Sequence, residues 1–231
     1  SKAVFELVWK ITGRDKTFKM QVYPLIGYII AFLTIYVLFD GMKRGVSFNE
    51  ISNSTKYLWF LYSPILLMST ALRQITMNEN FAAAWIYFAT PVKRPGEVVI
   101  GSVHAVFVKF FLPLYLLFFF LCLLVWKQHI IDDFLFGLVN NYLFVLITTA
   151  LMDKYLPFSQ QPTTERQAGK TVLMLLQLIG VALFAGIHYL VSRVPVLFYF
   201  LLPAELTLCW LVRRELRNLP WNKMMNEHGY Q

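Results

Sequence analysis

The sequence predicts an all-α protein that crosses a membrane several times. Three observations predict it: long apolar runs free of charge, a large excess of hydrophobic over charged residues, and basic residues gathered in alternate connections. Of the 231 residues 58% are hydrophobic and 15% charged, and mean hydropathy is +0.55. A water-soluble domain carries about 45–50% apolar and about 25% charged residues, so this chain lacks the polar surface that a soluble fold needs. Its 21 Phe, 12 Tyr and 6 Trp suit lipid contact and interfacial belts. No alternation of period two is present, which excludes the segment pattern of a membrane barrel and leaves helices.

A spanning helix takes about 17–25 mainly apolar residues. Six segments meet or approach that length: 22–39, 57–72, 98–126, 134–152, 171–191 and 195–212. With the N-terminus placed in the cytoplasm, about fifteen Lys and Arg fall on the inside, while Lys43, Arg44, Lys127 and Arg193 fall outside. Both termini are then cytoplasmic. The net charge of +8 is thus a topology signal, not a nucleic-acid signal. The segment is interrupted at Lys2, Glu6, Lys10, Arg14 and Lys16, so no signal peptide is read at its start.

Residues 2–18 have a different character. Val4, Leu7, Val8 and Ile11 share one helical face, and Lys2, Glu6 and Lys10 lie on another. This predicts an amphipathic helix lying in the interface, with Trp9 at headgroup depth. Between the second and third spans, Asn78 or Asn80 can cap a helix with Glu79 near its N-terminus. The Ala82–Ala84 run favours helix, and Pro91 stops it after Thr90. The helix expected over 79–90 is too short to span. Phe81, Trp85 and Phe88 form its aromatic face.

Few residues carry chemistry. There is no phosphate-binding G-x-x-x-x-G-K loop, no H-E-x-x-H and no G-x-S-x-G. His104, His129, His188 and His228 are scattered, so no metal site is expected. His129, Asp132 and Asp133 read as a solvated turn, and Cys122 and Cys209 as inert packing thiols. Polar groups within spans are costly and are therefore functional candidates. Glu205 could line a polar path, pair with a base such as His188 or Lys109, or hydrogen-bond a partner subunit. Lys109 could also snorkel to the cytoplasmic face or make a lateral contact. Asn140, Asn141 and Gln177 can bond across helices, and Ala182 with Gly186 forms a small-x-x-x-small pair. Pro113, Pro195 and Pro203 mark kinks or helix starts.

The order of these elements resembles the permease subunit of ATP-binding-cassette (ABC) exporters of the six-helix, type V kind. The stretch from Ala84 to Gly101, with an aromatic short helix, a Pro, a basic pair and a Gly opening the third span, looks like that family's pattern. The resemblance implies an elbow helix with Leu7, Val8, Trp9 and Ile11 at the membrane interface. It also implies a coupling helix that uses Asn78, Glu79, Asn80, Phe81, Trp85, Phe88, Thr90 and Pro91 to engage a separate ATPase. ATP and Mg would sit on that partner, with no cofactor on this chain. The other partners would be membrane lipid and a second permease half, in a homodimer or a fused chain, and not nucleic acid. The location implied is a bacterial cytoplasmic membrane. Only Ser192, Arg193 and Val194 join the last two spans, so the external hairpin of some branches is lacking. Two other readings stay open: a secondary transporter or membrane scaffold, and a membrane-embedded enzyme using Glu205 with His188 or His104.

Overall fold

A computed structural model describes residues 2–44, 54–90, 92–151, 154–161 and 167–228. Among them the architecture is helical, with no strand and one isolated bridge between Met77 and Gln160. The helices are α1 (Lys2–Arg14), α2 (Lys16–Arg44), α3 (Tyr57–Tyr62), α4 (Pro64–Gln74), a one-turn α5 (Ile86–Ala89), α6 (Gly96–Val106), α7 (Leu112–Trp126), α8 (Ile131–Leu151), α9 (Gln167–Ser192), α10 (Pro195–Arg217) and α11 (Trp221–His228).

Five stretches are long and apolar enough to cross a membrane: Lys16–Tyr36, Gly96–Trp126, Ile131–Leu151, Leu175–Ser192 and Val196–Arg217. They match the first, third, fourth, fifth and sixth expected spans to within a few residues, although Met152, the expected end of the fourth, lies outside the described residues. The second is different. It divides into α3 and α4 at Ser63. Pro64 has no N–H to give the carbonyl of Phe60, and the Ser63 hydroxyl donates to that carbonyl instead, at 3.3 Å. Short as they are, α3 and α4 hold the centre of the core. Leu61, Ile65, Leu67, Met68 and Ala71 are fully buried.

Residues 2–18 do not form one helix. Asp15 is a corner: its N–H donates to Ile11 at the end of α1, and its Oδ1 accepts from the Phe18 N–H, capping α2. Val8 and Thr12 face the core, with Val4 and Ile11 half-buried beside them, whereas Leu7 and Trp9 face outward. The expected apolar face is therefore split between protein and surroundings, because α1 packs along α6.

The third span is one rod with a widened π-helical turn at Phe107–Phe111. Pro113 explains its place, since it cannot donate to the carbonyl of Lys109, four residues back. At the tip of this rod the buried Trp126 donates its indole N–H to the Ser54 carbonyl at 2.8 Å.

Two glycines allow backbones to meet closely. A Cβ on Gly96 would lie 2.0 Å from the Leu216 carbonyl, and one on Gly137 would lie 2.1 Å from a Leu61 methyl. The small pair Ala182 and Gly186 plays no such part among the described residues, where a Cβ on Gly186 would meet nothing within 4 Å. Large apolar side chains on α2, α9 and α10, such as Phe32, Ile179, Leu183 and Phe200, are exposed and suited to lipid.

Gly96→Ala should cost about 1–3 kcal/mol through overpacking against backbone, seen as a lower unfolding temperature in detergent. Gly27→Ala, inside α2 and opening onto free space, should not destabilise and should add about 0.5–1 kcal/mol.

Candidate functional site

Candidate side chains gather at the two ends of the bundle. One end, rich in Lys and Arg, collects α1, the segment 75–99, residues 154–160 and the chain from Leu216 to Met224. Asn78 is its hub. Its N–H donates to the Gln160 carbonyl at 2.9 Å, its Nδ2 donates to Asp15 Oδ2 at 2.8 Å, and its Oδ1 accepts the Asn80 N–H at 2.8 Å. The Thr17 hydroxyl donates to Glu79 Oε1 at 3.2 Å. Gln160 and Phe158 in turn donate their N–H groups to Thr76 and Ile75. Phe158 takes a positive φ of 58° to make this turn.

From this base rises the short helix, shorter and tighter than expected. Phe81–Trp85 is a 3₁₀ turn and Ile86–Ala89 a single α turn. Neither Asn caps it as predicted. Asn80 makes no side-chain cap bond, Asn78 is committed to the base, and Glu79 is held by Thr17. Thr90 is extended and ends the helix, as the residue before a proline prefers. Pro91 itself lies outside the described residues.

The 3₁₀ winding also divides the expected aromatic face. Four residues of 3₁₀ helix turn the chain by about 480°, so Phe81 and Trp85 stand about 120° apart instead of about 40°. Trp85 is 65% exposed, with Phe81 and Ile86 also exposed. Phe88 packs its ring against Trp221 at 5.2 Å. Tyr87 is buried with Val98, Val99, Leu156 and Met224, and burial pushes its phenol up to about 12. Trp221 donates its indole N–H to the Val92 carbonyl at 2.9 Å, and Arg94 donates to Asn218 Oδ1 at 2.6 Å. A Glu97–Arg217 pair at 3.5 Å lies alongside, exposed and therefore weak.

At the far end a buried polar chain links side chains of three helices, α3, α8 and α9. Asp133, at the start of α8, contacts His188 of α9 at 3.2 Å and accepts the Tyr57 hydroxyl at 2.5 Å. The other ring nitrogen of His188 meets the Tyr62 hydroxyl at 2.9 Å, and Asn140 Nδ2 donates to that hydroxyl at 2.7 Å. Asn141 donates to the Leu61 and Gly137 carbonyls, bridging α8 to α3 as expected of a helix-linking amide. No family model, no curated protein and no solved structure matches the chain.

Several sequence expectations are corrected by this geometry. Asp133 is not a solvated turn residue; α8 places it against His188. Glu205 pairs with neither His188 nor Lys109. His188 is taken by Asp133 and Tyr62, and Glu205 Oε2 is buried without a hydrogen-bond partner among the described residues. Of the two readings of Lys109, snorkelling or a lateral contact, the lateral contact is the one made. Lys109 donates to the Trp9 carbonyl at 2.6 Å and Thr12 Oγ1 at 2.9 Å, with the rings of Trp9 and Phe110 beside its ammonium. His104 meets the Tyr142 hydroxyl at 2.9 Å. Cys122 and Cys209 are buried packing thiols, and no cluster of potential metal ligands exists among the described residues.

Tyr62, Tyr57 and Asp133 were missed as site residues. One signal could have found the acid. In alternating helices, the end of the fifth span and the start of the fourth lie at the same end, which puts His188 near Asp133.

Lys109→Met should detach α1 from the third span while leaving the bundle folded. Amide exchange over residues 2–14 should rise at least about tenfold, and exchange in α8 should not change.

Proposed function

We propose that the chain is the membrane-spanning permease half of an ATP-driven ABC exporter, and that the helix Phe81–Ala89 is its coupling helix. The observation that carries this reading is a short aromatic helix whose base is bonded into the bundle while Trp85 stands free. An exposed Trp on a rigid support is the type of residue that anchors a protein interface.

The transmission follows from the contacts. The ATPase, carrying ATP and Mg, grips Trp85, Phe81 and Ile86. Its movement passes through Asn78 and Asp15 to the α1–α2 corner, and through Thr76 and Gln160 to the segment that precedes α9. Phe88 and Trp221 carry it to the end of α10. Here α1 is the elbow helix, pinned by Lys109, with Trp9 at the interface. In this reading α3 and α4 together make the second of six spans. Both termini are cytoplasmic, and a second permease half, in a homodimer or fused chain, completes the pathway. The exposed apolar faces of α2, α9 and α10 serve lipid and that second half.

The test is ATP turnover and export by the chain co-expressed with an ABC-type ATPase. Trp85→Ala should weaken ATPase binding about 30-fold, as loss of an interfacial hot spot of about 2 kcal/mol does, and abolish coupled export. Undiminished export by this variant would remove Trp85 from the mechanism. Export with no ATPase present would overturn the reading as a whole.

A further inference from the structure

The joint between α1, α2 and the third span brings two cations together. Lys109 stands there half-buried. An ammonium carries three hydrogens, and Lys109 uses two, on the Trp9 carbonyl at 2.6 Å and on Thr12 Oγ1 at 2.9 Å. Gly13 makes room for it, since a Cβ there would lie 3.2 Å from Nζ. Lys19, also half-buried, approaches from α2. Phe18 beside it and Tyr23 one turn on both set their rings near Phe110, at 5.3 and 6.4 Å. The charge of Lys19 is felt at Lys109. Among the described residues no carboxylate pairs with either ammonium. Asp15, the acid nearest Lys19 in the chain, has both oxygens committed, to the Phe18 N–H and to Asn78.

Two like charges held near each other repel, and partial burial adds a desolvation cost to each. An anion that accepts the third Lys109 hydrogen and one from Lys19 offsets both. The surroundings indicate which anion. Trp9 and Tyr23 are exposed beside the pair, and rings with a polar tip are the kind that sit at headgroup depth. From Lys109 an exposed apolar ridge follows the third span through Pro113, Leu117 and Phe120, at helical spacing. Ammonium donors at the foot of an apolar ridge fit an amphiphile and not a free ion. Two positive charges favour a headgroup of net negative charge over a zwitterion.

We infer that Lys109 and Lys19 form a binding site for the headgroup phosphate of an anionic phospholipid, whose acyl chain lies along the ridge of Pro113, Leu117 and Phe120. The phosphate oxygens accept from both ammoniums, and no covalent bond changes. The lipid lies in the leaflet at the Lys- and Arg-rich end. It fastens α2 to the third span at the point where Lys109 already holds α1, so the N-terminal element is anchored by lipid as well as by protein. The site needs no ATPase contact and stands apart from the coupling reading.

The test reconstitutes the whole chain in phosphatidylcholine vesicles with a rising share of brominated phosphatidylglycerol, which quenches nearby tryptophan. The Trp9 contribution is the difference between the chain and its Trp9→Phe variant. Trp9 should report phosphatidylglycerol favoured over brominated phosphatidylcholine by at least about fivefold, the effect of one basic residue at an anionic surface. Lys19→Gln should lower that preference by about fivefold, and Lys19→Arg should keep it. Lys93→Gln, which removes the same charge from an exposed position at the same end, should leave it unchanged, as should excess inorganic phosphate. In the unaltered chain, amide exchange over residues 2–14 should be slower in phosphatidylglycerol than in phosphatidylcholine vesicles, a readout that needs no variant to fold. No preference at Trp9, a preference that survives Lys19→Gln, or equal exchange in the two lipids would overturn the site. An equal loss in Lys93→Gln would replace it with diffuse surface attraction, and displacement by inorganic phosphate would replace the lipid with a free anion.

Discussion

A polar group buried from water has only the protein to bond with, and the second apolar segment is where this chain meets that constraint most sharply. Pro64 breaks the helix in the middle of the core and deprives the Phe60 carbonyl of its usual donor. Ser63 replaces that donor, and Asn141 reaches across from α8 to the Leu61 carbonyl. Gly137 makes the reach possible, because any side chain there would collide with Leu61. The break, the amide and the glycine form one solution. The core of Leu61, Ile65, Leu67 and Met68 is assembled around it, and so is the polar chain that begins at Tyr62, one residue before the break.

The same constraint organises the third span. Pro113 strips the Lys109 carbonyl of its donor, the helix widens into a π turn, and the Lys109 side chain leaves the rod to bind α1. A cost within the helix thus becomes an attachment for the N-terminal element. At the basic end, Asn78 uses its backbone N–H and both side-chain heteroatoms to gather three separate segments. The short aromatic helix is held by this hub and not by its own length, since one 3₁₀ turn followed by one α turn would not persist alone.

Hydrophobic period and length made the helical class and five of the spans legible, because a run such as Phe110–Trp126 allows no other reading. The short helix was also legible as an element, from its alanines and Pro91. Its 3₁₀ winding was not, because alanines and a following proline suit a 3₁₀ and an α turn alike, and neither were the contacts of its base with Asp15 and Gln160 and of Phe88 with Trp221, more than a hundred residues away. The division of residues 2–18 at Asp15 could be anticipated only by a reader who treated Asp15 as a cap. The partners of His188 and Lys109 escaped altogether. Each is chosen by tertiary geometry among several polar groups of similar apparent depth, and an exposed-looking acid such as Asp133 gives no local sign that a distant ring will cover it.

The most direct test of the account is to place a photo-crosslinking residue at position 85 in the full chain, in native membranes, and identify what it captures. The account predicts one dominant product, a protein that carries a phosphate-binding loop for ATP, with a yield that changes when ATP is added. Crosslinks to lipid alone, unaffected by ATP, would contradict it.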